Sequence, residues 1–172
     1  MKKTILTAAL TALTCAAFAA ELNINGSFTE AAPKNPNDKE ILTAQFPKGW
    51  GGAKIAMLSN GGKNAVKVEG GYLMRWIGLG NSPDKQTFSG ELKVKGTGWI
   101  ESWFSGCSRK PGDPKPFGHE IRRQLIKTNL NGQDQILKFS VEIGPYEQGY
   151  IYVSAKDAVV ESVKANLDPI KK

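Results

Sequence analysis

Hydrophobic and polar positions alternate along much of this chain. In QILKFSVEI, residues 135–143, Leu137, Phe139, Val141 and Ile143 interleave with Lys138, Ser140 and Glu142. In ELKVK, Leu92 and Val94 interleave with Glu91, Lys93 and Lys95. In GYIYVSA, Ile151, Val153 and Ala155 interleave with Tyr150, Tyr152 and Ser154. A period of two puts successive side chains on opposite faces of a strand, and this pattern is that of an antiparallel sheet with one face packed and one wet. No window carries apolar residues at convincing helical spacing. The pattern predicts strands over residues 22–29, 53–58, 65–68, 72–79, 87–95, 98–104, 120–128, 135–143, 149–155 and 159–167. Segments rich in Gly, Asn and Pro separate them, among them SNGGKN, LNGQDQ and the long basic GCSRKPGDPKPFGHE. Many short strands with turn signals between them predict an all-β sandwich or barrel.

Two stretches carry more aromatic surface than one buried face requires. In GTGWIESWFSG, Ile100, Ser102 and Phe104 share one face while Trp99, Glu101 and Trp103 share the other. In YLMRWIGL, Tyr72, Met74 and Trp76 oppose Leu73, Arg75 and Ile77, and the inner set is ambiguous. If the first set is core, Arg75 points outward.

The N-terminus changes the domain boundaries. MKKTILTAALTALTCAAFA has two lysines, an apolar run and an Ala17-Phe18-Ala19 cleavage pattern, which predicts a secretory signal peptide over 1–19 and one domain over 20–172. Localisation is then periplasmic or extracellular. No later segment is long enough to be a membrane span. Removing Lys2 and Lys3 takes the formal net charge from +7 to +5, mildly basic, which favours acidic surfaces or polymers or simply keeps the protein soluble. Cys107 is then left alone and forms no internal disulfide. The one histidine, His119, follows it across the proline-rich loop, a weak basis for a catalytic pair. Arg109, Lys110 and Lys115 in that loop have only Phe117 for stacking, which argues against a nucleic-acid site.

Four segments in order resemble jelly-roll carbohydrate-binding modules of the galactose-binding-domain-like superfamily. LNINGSFTE is similar to their opening N-G-x-F-E, FPKGW to the P-x-G-W that follows, TFSGELKVKGTGWIESWF to the central strand pair, and AVVESVKANL to the closing strand. The resemblance covers nearly all of residues 20–172 and implies a single jelly-roll β-sandwich of two antiparallel sheets. It also implies, more weakly, a glycan as partner, because one fold hosts many functions. Sugar sites combine flat apolar walls with a few placed polar groups. On that basis the candidate ligand-binding residues are Trp99 and Trp103, about 13 Å apart at ~3.3 Å per residue, with Glu101 between them, Tyr150 and Tyr152 if their strand shares the sheet, and Arg75 as a donor. Trp50, in the G-W match, is expected to pack against the body of the domain.

Some members hold a structural calcium through an acid after the Phe and an Asp in the closing strand. Here Phe28 is followed by Thr29, with Glu30 one place on, and Glu161 replaces the Asp. Calcium selects cages of several oxygens, so these departures weaken a site at Glu30 and Glu161, and two exposed acids are the simpler reading. No other cofactor is expected. Glycoside hydrolysis needs two carboxylates flanking one bond. Glu101 has no sequence neighbour for that role, although Glu142, Glu147 and Asp157 are candidates to approach it in the fold. The expectation is a non-catalytic, secreted glycan-binding module. The rival is an adhesin-like surface module that contacts another cell-surface or secreted protein.

Overall fold

The computed structural model describes residues 20–79, 85–107, 120–144 and 148–170. The leader, the basic loop with Arg109, Lys110, Lys115, Phe117 and His119, Glu147 and the side chain of Cys107 lie outside what is described. The strands are β1 (Ala20–Glu21), β2 (Ala31–Pro33), β3 (Gln45–Pro47), β4 (Trp50–Asn60), β5 (Lys63–Gly78), β6 (Gln86–Cys107), β7 (Glu120–Asn129), β8 (Gln135–Ile143) and β9 (Gln148–Pro169). No helix occurs among the described residues.

Three of these strands contain two expected strands each. β5 joins 65–68 to 72–79, β6 joins 87–95 to 98–104, and β9 joins 149–155 to 159–167. Each turns a corner without losing its ladder. The corners lie side by side: Lys54 in β4 has φ 52°, Gly70 in β5 has φ 74° and Asp157 in β9 has φ 52°. In β6 the register against β9 shifts between Gly96 and Trp99. Positive φ bends a strand sharply, and glycine adopts it without a Cβ penalty. At β6 the need is for space: a Cβ on Gly98 would stand 2.0 Å from the Lys156 carbonyl oxygen.

Beyond this row of corners the strands fold back as a second layer. The first layer runs in the order 50–53, 71–78, 149–155, 99–107, 120–129. The second runs 55–60, 63–68, 158–169, 86–95, 135–143, with β1 paired to the far end of β9. From residue 63 onward the chain wraps the two layers so that their orders mirror each other. That is the jelly roll, built as two antiparallel sheets whose ladders run on through the corners. The layers close on Phe88 and Phe104, one from each, with ring centroids 5.0 Å apart. Leu73, Leu92, Ile100, Ile151, Val153, Val160 and Val163 fill the rest of the gap. Ser102 is buried among them and its hydroxyl donates to the Tyr152 carbonyl at 2.9 Å, so its burial carries no unpaired donor.

One expected strand is absent. Residues 22–29 form a looped segment in which Asn25 and Phe28 have φ near 50° and 56° and the Phe28 amide donates to the Asn25 carbonyl. The apolar residues that suggested a strand, Ile24 and Phe28, are buried because the loop plugs one end of the sandwich. Trp50 packs there as expected, 5.6 Å from the Phe28 ring with its indole N–H on the Ile24 carbonyl at 2.8 Å. The β2–β3 ribbon has no alternating signal and was not expected. The adjoining residues 40–42 cover the edge of β4, with the Leu42 amide donating to the Ile55 carbonyl at 2.8 Å.

Candidate ligand-binding face

The outer faces of the two layers differ in chemistry. The second layer is wet: Lys93 pairs with Glu161 at 2.7 Å, Lys164 with Glu91 at 3.1 Å, and Lys85 with Glu142 at 2.5 Å. Such exposed pairs contribute little to stability, but they mark a face kept in water. The outer face of the first layer is aromatic.

Leu73 and Ile77 are buried, which settles β5 and turns Tyr72, Met74 and Trp76 outward. Ile151, Val153 and Ala155 are buried, which turns Tyr150 and Tyr152 to the same side. Ile100 and Phe104 are buried, which adds Trp99, Glu101 and Trp103. Directly paired residues share a face, so the registers assemble rows across three or four strands. Met74, Tyr152, Trp103 and Gln124 make one row. Trp76, Tyr150, Ser105 and Arg122 make the next on one side, and Tyr72, Ser154, Glu101 and Lys127 the next on the other. Trp76 meets Tyr150 edge-on at 4.5 Å, Tyr150 lies 6.0 Å from Tyr152, and Tyr152 lies 6.2 Å from Tyr72. Tyr72, Trp76 and Trp99 each keep 38–39% of their surface exposed, unusual for rings with no covering element.

A cleft of about 220 Å³ opens in this face, lined by Trp103, Arg122, Tyr152 and Ser154. It is smaller than the roughly 300–1,000 Å³ of drug-sized sites, the scale of a single ring with an open mouth. A second hollow, of about 430 Å³, is lined by Trp99, Glu101, Lys127 and Asn129 among others. Glu101 separates the two. Its carboxylate takes the Lys127 ammonium at 2.9 Å. The Lys127 hydrogen bond and charge, with a further hydrogen bond from the Trp103 side chain, hold it below the usual carboxylate range against a smaller opposing effect of burial.

Five of the six expected ligand-binding residues, Trp99, Glu101, Trp103, Tyr150 and Tyr152, therefore share one face. Arg75 does not join them. It lies on the inward side of β5 between Leu73 and Ile77, opposite Trp50, with its guanidinium over Gly49, and burial lowers its pKa. Its outward placement required Tyr72, Met74 and Trp76 to be core, and they are the exposed set. The guanidinium that does reach the face is Arg122. A register shift opposite Ser102 and Trp103, two residues on β6 spanning three on β7, places Arg122 rather than Arg123 there. No alternation in EIRRQLIKTN reveals such a shift. Tyr72 and Trp76 were legible as a pair but not as outward.

The suggested metal residues are apart in their bonding. Glu30 pairs with Lys48 at 3.0 Å, and its backbone carbonyl takes hydrogen bonds from the Asn25 side-chain amide and the Lys48 amide. Glu161 pairs with Lys93. Each carboxylate is thus matched to a lysine, and among the described residues no three acidic, His or Cys side chains gather. That donor set does not fit a calcium cage. Glu142, a suggested partner for Glu101, lies on the outer face of the opposite layer.

No family model matches the chain, and no curated protein does. Among solved structures, the CBM22-1 xylan-binding domain of Paenibacillus barcinonensis Xyn10C matches with TM-score 0.49 at 12% identity, over 85% of this chain and 94% of that one. The C-terminal CBM6 of a laminarinase from Zobellia galactanivorans matches with TM-score 0.42 at 10% identity, over 67% and 90%. A CBM4 structure matches with TM-score 0.40 at 14% identity, over 84% and 94%. The likenesses are to jelly-roll carbohydrate-binding modules, and at these overlaps they carry neither residues nor ligand over to this chain. No helix of the described residues is long and apolar enough to cross a membrane.

Proposed function

We propose that this protein is an exported, non-catalytic glycan-binding module whose ligand lies across the outer face of the first layer. The observation that carries the reading is the contrast between the two outer faces: one laced with ion pairs, the other aromatic, with Tyr72, Trp76 and Trp99 exposed and Trp103, Tyr150 and Tyr152 half-buried beside them. A pyranose has one C–H-rich face that stacks on a flat ring and hydroxyls that seek planar polar groups. The face supplies the rings, and Glu101, Gln124, Ser154, Lys127 and Arg122 supply donors and acceptors around them. The platform spans several strands and suits an extended chain of sugars more than a single residue sealed in a pocket. Trp103 and Tyr152 line the cleft in this face. Export rests on the leader of residues 1–19.

The test is a glycan-array screen of the wild-type protein beside Trp103→Ala and Trp99→Ala. Binding to a defined sugar is expected, with a loss of about tenfold or more in Trp103→Ala, the cost of truncating a central aromatic anchor. A folded protein silent across neutral and acidic glycans would instead favour a protein-contacting module.

A further inference from the structure

Two of the long edge strands are protected against pairing with another chain. Residues 40–42 cover β4, with the Leu42 amide on the Ile55 carbonyl, and a register shift interrupts β7. Covering an edge and bulging it both keep unpaired N–H and C=O groups from recruiting a second strand. β8 has neither device. Among the described residues it pairs only with β6, in unbroken register from Gln135 to Ile143, and it contains no proline. Its outward side presents Ile136, Lys138, Ser140 and Glu142, all exposed, so its one lysine is offset by an acid on the same face. Ile136, at 58%, is the most exposed large apolar side chain among the described residues. Lys138 stands opposite Glu91 of β6, but that carboxylate is bonded to Lys164, and Lys138 has no acidic partner among the described residues. On the inward side, Leu137 and Val141 are only partly buried at this open edge.

The same strand is complementary to itself. Two copies meeting edge to edge, antiparallel about a two-fold axis normal to the sheet, set outward residues opposite outward residues, so the axis must pass through a residue. An axis through Lys138 sets two lysines against each other. One through Phe139 sets Ile136 against Glu142, and one through Val141 sets Lys138 against Gly144. An axis through Ser140 sets Lys138 against Glu142 of the partner subunit, and by symmetry does so twice. It also sets Leu137 against Ile143, Phe139 against Val141, and Ile136 against Gly144, which has no side chain to obstruct it. Cross-strand pairs of this kind, apolar with apolar and opposite charges together, are the unit of sheet stabilisation.

We propose that β8 is a self-association edge, at which two copies of this chain pair β8 to β8 about Ser140 and join their second layers into one sheet. One strand-to-strand contact is at the low end of specific interfaces, under roughly 1,200 Å² of buried surface, so the dimer is a reversible one with a Kd on the order of 10–100 μM. The axis keeps both first layers on the same side of the joined sheet, and their aromatic faces look the same way. The pairing is independent of the glycan-binding reading; its use, offering two such faces to one surface, rests on that reading.

The experiment is sedimentation equilibrium of the wild-type protein from about 1 μM to about 1 mM, with no glycan present, beside Lys138→Glu, Glu142→Lys and an equimolar mixture of the two variants. Both substituted positions are exposed, and circular dichroism checks that each variant is folded. The wild type is expected to dimerise within this range. Each variant alone is expected to associate at least about tenfold more weakly, because both copies of the charge pair become like-charged. The mixture is expected to recover the dimer, because one chain of each kind restores both pairs with their signs exchanged. A wild type that stays monomeric throughout overturns the proposal whatever the variants do. Variants that dimerise as the wild type does, or a mixture no stronger than either variant alone, also overturn it, since the contact then lies elsewhere or in another register. Each of these failures leaves the glycan-binding reading standing, because no glycan takes part in the measurement.

Discussion

At the scale of single residues, Glu101 has the most constrained chemistry on the face. Lys127 and Trp103 both stabilise its ionised form, so its folded pKa is depressed. A depressed carboxylate contributes stability that is present above its unfolded value, near ~4.3, and is lost as pH falls through the lower folded value. The Glu101–Lys127 pair should therefore survive mild acidification that protonates ordinary glutamates. An NMR titration of the Glu101 carboxyl is expected to give a midpoint below ~4.3 in wild type and a higher one in Lys127→Met. An unchanged midpoint would mean that Lys127 is not its partner in solution. Sequence alternation placed Glu101 between the two tryptophans, because alternation fixes faces along one strand. It was silent on Lys127, because partners across strands depend on register. Arg75 shows the same limit from the other side: its own strand had two plausible inner faces, and only burial of Leu73 and Ile77 chose between them.

At the scale of elements, the strand β8 was legible to the residue, and the halves of β5, β6 and β9 were legible as separate strands. What the pattern concealed is that these halves are continuous. Segments such as EGGY and KGTGW read as chain reversals, since glycine commonly marks turns. Here the same residues serve as corners at which the ladder bends and continues. The corner is tight enough to be tested by adding one methyl group. Gly98→Ala puts a Cβ against the Lys156 carbonyl, a backbone atom that has no rotamer by which to retreat. A loss of about 1–3 kcal/mol in urea unfolding is expected. Gly78→Ala, at the end of β5 with nothing within 4 Å of the added carbon, is expected to change stability by less than about 0.5 kcal/mol. Equal effects at the two positions would show that the corner has slack. The 22–29 segment misled for a related reason: Ile24 and Phe28 are apolar because a loop inserts them into the core, and burial alone does not distinguish a strand from a plug.

At the scale of the whole molecule, the sandwich separates stability from recognition. Its core lies between the layers around Phe88, Phe104 and Phe139, while Tyr72, Trp76, Tyr150 and Tyr152 meet one another on the outer face of the first layer. Cross-strand aromatic pairs contribute roughly 0.2–1 kcal/mol each, far less than a buried phenylalanine, whose truncation costs about 3–5 kcal/mol. Trp103→Ala combined with Tyr152→Ala should therefore lower stability by no more than about 2 kcal/mol, whereas Phe104→Ala should approach unfolding. A large loss from the outer pair would mean that those rings hold the sheet rather than a ligand.

The most direct test of the central claim is the binding isotherm of the wild-type protein and the Trp103→Ala/Tyr152→Ala variant, measured by calorimetry against a polysaccharide that retains the wild type. The account predicts saturable binding in the wild type and none detectable in the variant, with both proteins showing the same β-rich circular dichroism. Equal binding by the folded variant would contradict it and place the ligand away from the aromatic face.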